Sequence, residues 1–406
     1  MKVSSLKQVN HNSAFNHAVM KGIDMNTQSE VTVDSLEGRK VHFCLVSKQA
    51  MANLGPIERY QPNEVVLFVT ESMKDTAISL EESIKMGSRG VKISKIDIPS
   101  ANYMDNCVES ILEVLSQYDP DEVAVNVTGG TKIMSMAASV AACTAGAKAF
   151  YLEIQDNKIS LIDIFAGSNA MESHVLNHKL KIKQLLASYG VEMVGSKAMG
   201  SLSFYVSEVG KRILNTDSMK EAIPRINELA VKAEKLNPMA VDVPSMQRDL
   251  QAKFDTLCDE FVKLNRLEVR GRNIRFSSEE DRFFVAGGWL ERFVFNEVSA
   301  ARLAPVGSLE VRSPAKNEID VAFIHQGALH IIECKTSNLS DAKQASEVLY
   351  KLQTLKAFGG EKTKLLLVSF RELHPEARQR AASMGIKVVT GRQILKLQEK
   401  IKAWLK

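Results

Sequence analysis

The sequence has no apolar run approaching the roughly 18 residues that a membrane-crossing helix needs. Its polar start, "MKVSSLKQVNHNSAFNHAV", lacks the apolar segment of a secretion signal. A cytoplasmic protein without a membrane partner is the expectation. Its five cysteines, Cys44, Cys107, Cys143, Cys258 and Cys334, are odd in number, scattered and nowhere spaced C-x-x-C. That argues against a disulfide framework and a zinc ribbon. Neither the G-x4-G-K-[ST] spacing of a P-loop nor G-x-G-x-x-G occurs, so ATP hydrolysis finds no support. There is no internal repeat and no low-complexity tract.

What is present is a chain of 406 residues, 45% hydrophobic and 25% charged, enough for two or three folded domains. The formal charge of +4 is unevenly spread. Residues 281–406 hold 20 Lys or Arg against 13 Asp or Glu, a balance of +7, which leaves 32 against 35, or −3, for the rest. A basic C-terminal part is what a polyanion-binding domain shows; a solvated lysine-rich surface shows the same.

Residues 1–40 are rich in Asn, Ser, Thr and Gln without periodicity and read as an N-terminal extension. From Val41, short apolar segments alternate with helical ones: "VHFCLV", "VVLFVT", "VKISKIDI" and "VAVNV", the last followed by the Ala-rich "TKIMSMAASVAACTAGA". Such strands with crossover helices predict a parallel, Rossmann-like α/β domain over 41–167. It closes on a hairpin turning at Asp156-Asn157. Residues 168–280 read as a helical or winged-helix-like connector. A third unit, 281–406, opens after a capping box at Ser278 and Asp281.

In that unit the hairpin "EIDVAFIHQGALHIIECKT" carries charge among apolar residues. With a turn at Gln326-Gly327, Ile324 faces Leu329, Ala322 faces Ile331 and Asp320 faces Glu333, while Lys335 shares their side of the sheet opposite Glu318. Opposed carboxylates destabilise a sheet. A hard divalent cation, Mn2+ or Mg2+, relieves the repulsion, and the same group can serve phosphodiester cleavage, with Lys335 orienting water or stabilising charge on the phosphate. Cys334 points to the other side. His325 and His330 differ in parity and form no zinc pair. In "GGWLERFV" the stripe Leu290, Phe293, Val294 leaves Glu291 off it, by pattern alone a solvated residue beside Arg292. Tyr350, Lys351 and Gln353 on the next helix read by pattern alone as ordinary surface.

Upstream, Thr128-Gly129-Gly130-Thr131-Lys132 joins a buried strand to a helix. Paired glycines let backbone amides approach a ligand, and a helix start favours anions; a plain tight turn is the other reading.

The pattern D-x12-E-x-K, with Ile319 in place of Pro before Asp320, resembles the PD-(D/E)xK nuclease family. The stretch "NVTGGTK", with "CLVSKQAMANLGPI" after the first strand, resembles the CRISPR-associated Rossmann-fold (CARF) sensor family. Together they make the chain from 41 onward similar to the two-domain CARF nuclease effectors of type III CRISPR systems: a CARF domain, a connector and a restriction-endonuclease-like domain. The resemblance implies a homodimer switched on by a cyclic oligoadenylate, cyclic tetra-adenylate foremost, that cuts single-stranded RNA or DNA with Mn2+ or Mg2+. It implies catalytic Asp320, Glu333 and Lys335, metal held by Glu291, Asp320 and Glu333, and ligand contacts at Ser47, Gln49, Asn53, Thr128, Gly129, Gly130, Thr131 and Lys132. A ligand-responsive DNA-binding regulator and a ring nuclease that degrades its own activator are the alternatives.

Overall fold

The near-continuous apolar strands after Val41 do build a parallel sheet. The structure, a computed structural model, describes residues 36–88, 90–98, 101–153, 158–162, 173–175, 180–196 and 204–406. Its first sheet contains β1 (Val41–Leu45), β2 (Glu64–Val69), β3 (Lys92–Asp97), β4 (Val123–Asn126), β5 (Lys148–Glu153), β6 (Lys158–Ile162) and β7 (Ser173–Val175). Their spatial order is β3-β2-β1-β4-β5-β6-β7. The first five strands pair in parallel, and β6 and β7 add antiparallel. The expected turn at Asp156-Asn157 lies outside the described residues.

Four helices cover this sheet: α1 (Met51–Tyr60), α2 (Lys74–Gly87), α3 (Met104–Leu115) and α4 (Lys132–Ala145). Phe43 and Leu45 pack with α3 and α4, and Cys44 and Val46 with α1 and α2. Burial on both faces is why β1 and β4 carry no alternating polar residues. The strand order reverses between β1 and β4, and open α/β sheets bind ligands at the carboxyl ends of strands at such a switch point.

One buried side chain in β1 sets an acid limit on this domain. His42 is fully buried beside Tyr60 and Phe150, and neither ring nitrogen has a hydrogen-bond partner among the described residues. Burial pushes it down to about 4. The unfolded chain therefore takes up a proton between about pH 6.5 and pH 4 that the fold refuses, so stability falls on acidification through that window. The loss should total roughly 3 kcal/mol at its acid end. In thermal melts at pH 7 and pH 4.5 the wild type should lose more stability between the two than His42→Leu does; equal losses would assign the effect elsewhere.

Residues 168–280, expected as a helical or winged-helix-like connector, supply strands to each of the sheets among the described residues. β7 completes the first. After α5 (Ile182–Ser188), β8 (Glu192–Ser196) becomes an edge strand of the C-terminal sheet. Its residues alternate between exposed and half-buried, which leaves no strong apolar signal in the sequence. Then follow α6 (Phe204–Asn215), α7 (Asp217–Ala233), β9 (Ala240–Asp242), α8 (Arg248–Lys263), β10 (Glu268–Arg270) and β11 (Asn273–Arg275). The last three strands form a small antiparallel sheet ordered β10-β11-β9.

The C-terminal unit runs α9 (Glu279–Phe283), α10 (Trp289–Ala300), β12 (Val306–Ser313), β13 (Ala315–His325), β14 (Ala328–Lys335), α11 (Ala342–Thr354), β15 (Lys364–Ser369), α12 (Pro375–Ser383), β16 (Ile386–Thr390) and α13 (Leu397–Trp404). Ser278 caps α9 as expected, accepting from the Asp281 amide at 3.1 Å. The sheet order is β16-β15-β14-β13-β12-β8. Val321, Phe323 and Ile332 pack on Trp289, Leu290 and Phe293 of α10. Ala322, Leu329 and Ile331 pack on α11 and on Leu185 and Leu186 of α5. The hairpin is thus the middle layer of a three-layer unit.

Candidate active site

The hairpin register is the one the sequence implies. Val321 pairs with Ile332, Ala322 with Ile331 and Ile324 with Leu329. The turn residues Gln326 and Gly327 have φ of 47° and 73°, the positive pair that a type I′ turn requires.

Asp320 stands where this pairing ends. The β13–β14 ladder stops at Val321, and the β12–β13 ladder skips Ser308 and Asp320, with Ser308 at φ 42°. Leaving the ladder frees the Cys334 amide, and Asp320 Oδ2 accepts it at 2.7 Å. The expected cross-strand facing of Lys335 and Glu318 lies beyond the paired segment; Glu318 is exposed and pairs with Glu310 instead.

Asp320 and Glu333 are 7% and 2% exposed. Burial, reinforced by Glu333 and then Glu291, holds the Asp320 carboxyl well above the usual carboxylate range, and Lys335 and the Cys334 amide offset only part of it. Lys335 Nζ pairs with Glu333 Oε1 at 2.6 Å. Burial works against the ammonium, but Glu333 and Asp320 outweigh it and hold it well above its ordinary value. The buried Glu333 Oε2 has no hydrogen-bond partner among the described residues. Among those residues no three His, Cys, Asp or Glu side chains already stand together at metal-holding distance. Two buried, all-oxygen donors, one with an open oxygen, nonetheless suit a hard cation better than a soft one.

Glu291, half-buried in the first turn of α10, is close enough to act on Asp320 and Cys334 electrostatically. Cys334 itself lies in the core with Ile332 and Trp289, on the side away from Lys335. Tyr350 is 52% exposed and is taken up by Arg380, whose Nη1 donates to its hydroxyl at 3.2 Å. Lys351 is exposed and Gln353 half-buried on the same helix. His330 stacks on Phe323 with centroids 4.8 Å apart, and His325 lies 6.0 Å from it, ring to ring.

Two neighbours carried no sequence signal. Thr336 Oγ1 accepts from Asn227 Nδ2 of α7 at 3.1 Å. It also fills the space a Cβ would need at Gly287, 2.8 Å away, where Gly287 has φ 145° within a wide turn at 284–288.

At the β1/β4 switch point, the two expected ligand loops meet. A Cβ on Gly129 would stand 2.1 Å from the Leu45 carbonyl oxygen and 3.4 Å from Ser47 Oγ. Gly130 has φ 74°. Thr131 caps α4, accepting from the Met134 amide at 3.2 Å. Two of the expected contacts are committed inward. Asn53, 1% exposed, donates to the Leu45 carbonyl at 2.8 Å and accepts from Asn126 Nδ2 at 2.9 Å. Thr128 Oγ1 donates to Asn126 Oδ1 at 2.6 Å and accepts from the Leu152 amide at 2.8 Å. They brace the crevice, whereas Gln49, Thr131 and Lys132 are exposed at it and Ser47 is half-buried.

Residues 41–184 match the family of Card1 CARF domains, and residues 278–406 match the family described as Card1-like, endonuclease domain. Fold and site thus define a two-part protein, a CARF domain joined to an endonuclease domain. Both matched parts are of the Card1 type, a CARF domain followed by an endonuclease domain. The fold is similar to that of protein VC1899 from Vibrio cholerae, at 20% identity and TM-score 0.78, covering 90% of this chain and 97% of that one. It is also similar to Can2 from Sulfobacillus thermosulfidooxidans, solved with cyclic tetra-adenylate, at 23% identity and TM-score 0.72 over 90% and 99% of the two chains. A type III CRISPR defence DNA nuclease activated by cyclic oligoadenylate aligns at 17% identity and TM-score 0.50, over 82% of this chain and 45% of that one. No curated protein matches by sequence. No helix among the described residues is long and apolar enough to cross a membrane.

Proposed function

We propose that the protein is a divalent-metal-dependent endonuclease of type III CRISPR defence, gated by a cyclic oligoadenylate and acting on single-stranded RNA or DNA. The observation that carries the nuclease reading is the buried Asp320–Glu333 pair with Lys335 bound to it. The fold shared with Can2, itself solved with cyclic tetra-adenylate, supports the choice of activator.

Asp320 and Glu333, with Glu291 beside them, would hold Mn2+ or Mg2+. Bound there, the ion supplies Lewis-acid polarisation of a phosphoryl oxygen and a more acidic water. The chain's own residues do the rest. Asp320, whose carboxyl burial and its acidic neighbours hold above the usual range, would offer an oxygen ligand to such an ion. Lys335, kept charged by its neighbours, is placed to orient the attacking water or to neutralise charge on the phosphate. The Cys334 amide holds the Asp320 carboxylate in one orientation, which is preorganisation of a ligand by its support.

At the other end, the Gly129-Gly130 turn and the exposed Thr131 and Lys132 at the start of α4 suit a phosphate-bearing ligand. Tyr103, Met104 and Met136, on or beside α3 and α4, are 67%, 37% and 59% exposed, an apolar edge that supports a homodimer sharing the ligand across its axis.

Labelled single- and double-stranded RNA and DNA, incubated with and without cyclic tetra-adenylate in Mn2+, Mg2+ or chelator, test the reading. Cleavage is expected only with both ligand and metal. Equal cleavage without the cyclic nucleotide would remove the gating, and cleavage in chelator would remove the metal.

A further inference from the structure

The crevice loop leads directly into the core of the endonuclease domain. Met51, two residues beyond Gln49 and first in α1, is 5% exposed, yet it packs in the cluster formed by Leu185, Leu186, Leu329 and Ile331. The residue before it, Ala50, has its backbone close enough to the Tyr189 phenol to act on it, while burial pushes that phenol up to about 12. That phenol rests on Gly360: a Cβ there would stand 2.6 Å from Tyr189 Oη, and Gly360 has φ 75°. The preceding Gly359 is equally close to the hairpin, since its Cβ would stand 2.6 Å from Leu329 Cβ.

Close contacts therefore run from Ala50 through Tyr189, Gly360 and Gly359 to Leu329 of β14. Leu329 lies roughly 13 Å along that strand from Glu333. Glycines at two successive positions leave no compressible side chain in the line, and closely packed interiors pass a displacement on. On the other side of the joint a cleft of about 710 Å³, lined by Gln49, Tyr189, His325 and Gln326 among others, leaves the loop room to shift.

We propose that Met51 and Tyr189 form the joint through which a ligand in the β1/β4 crevice alters the setting of Glu333 and Lys335. The inference rests on the activation by cyclic oligoadenylate proposed above. For the ligand to drive the change, the two loop positions must differ in affinity for it, and the joint must have a different fit to each.

The test uses the full chain with Tyr189→Phe, which removes only the phenol oxygen, Met51→Ala, which removes the packing, and Met51→Leu, which restores it. Cyclic tetra-adenylate should bind all three, by calorimetry, within about threefold of wild type. Stimulation of cleavage should fall about tenfold or more in Tyr189→Phe and Met51→Ala and be retained in Met51→Leu. The ligand-induced change in hydrogen exchange over residues 328–335 should vanish with it. Wild-type stimulation and exchange response in Tyr189→Phe and in folded Met51→Ala would overturn the joint, as would loss of binding itself, which would place these residues in the ligand site. If Met51→Ala does not fold, Tyr189→Phe decides alone. An unaltered protein that binds the ligand without being stimulated would remove the activation reading and the joint with it.

Discussion

Glu333→Gln and Lys335→Ala should each lower metal-dependent cleavage by about 10²–10³-fold while leaving the fold intact, the scale expected when one preorganised charged group is removed from a phosphoryl site. The argument is the pairing at 2.6 Å and the burial around it. Glu333 offers an oxygen with no other task, so its loss removes a ligand and little packing. Asp320 separates the catalytic role from the structural one. Asp320→Ala leaves the buried Cys334 amide without its acceptor and should cost about 1–3 kcal/mol as well as activity. Asp320→Asn retains an acceptor and cannot ionise beside Glu333 and Glu291, so it should be inactive yet melt no lower than wild type in chelator, a trade of stability for function. Single-turnover cleavage and melting curves on the same preparations check both. Activity near wild type in Glu333→Gln or Lys335→Ala would remove the site assignment.

The second large effect is expected at the other end of the chain. Gly129→Ala places a methyl group 2.1 Å from the Leu45 carbonyl, a backbone atom in the middle of the sheet that cannot turn aside. Either the turn or β1 must move. Overpacking of this kind costs about 1–3 kcal/mol, and the displaced turn should weaken binding of cyclic tetra-adenylate at least about tenfold, equivalent to roughly 1.4 kcal/mol. Gly146→Ala is the control: it sits at φ 76° past the far end of α4 with nothing within 4 Å of the added carbon, so it brings strain without a clash at the crevice. Calorimetry on the two variants separates the effects. Equal affinity in both would remove the T-G-G-T-K turn from the ligand site.

The two ends of the chain differed in how much of them could be read in advance. The hairpin was legible because period-two alternation and one tight turn leave a single register that buries its apolar residues. Asp320, Glu333 and Lys335 were therefore legible as neighbours at one end of the hairpin, though not the point at which the ladder stops. The crevice was legible only as a pair of loops. Which of its side chains turn inward depended on Asn126, a residue with no motif of its own, which takes up Asn53 and Thr128. β8 was missed because an edge strand needs little apolar content to pair, and Asn227 and Thr336 because residues so far apart in sequence meet only through packing.

By itself, the amino-acid sequence determined the parallel sheet, the hairpin register and the residue types at both sites, since these follow from local alternation, turn chemistry and glycine placement. Only the tertiary structure decided that Asp320 leaves the ladder to hold the Cys334 amide, that Met51 belongs to the nuclease core, and that Tyr189 bridges Ala50 and Gly360. Those are contacts between segments distant in the chain, fixed by which surfaces must be buried together and carried by no periodicity within either one.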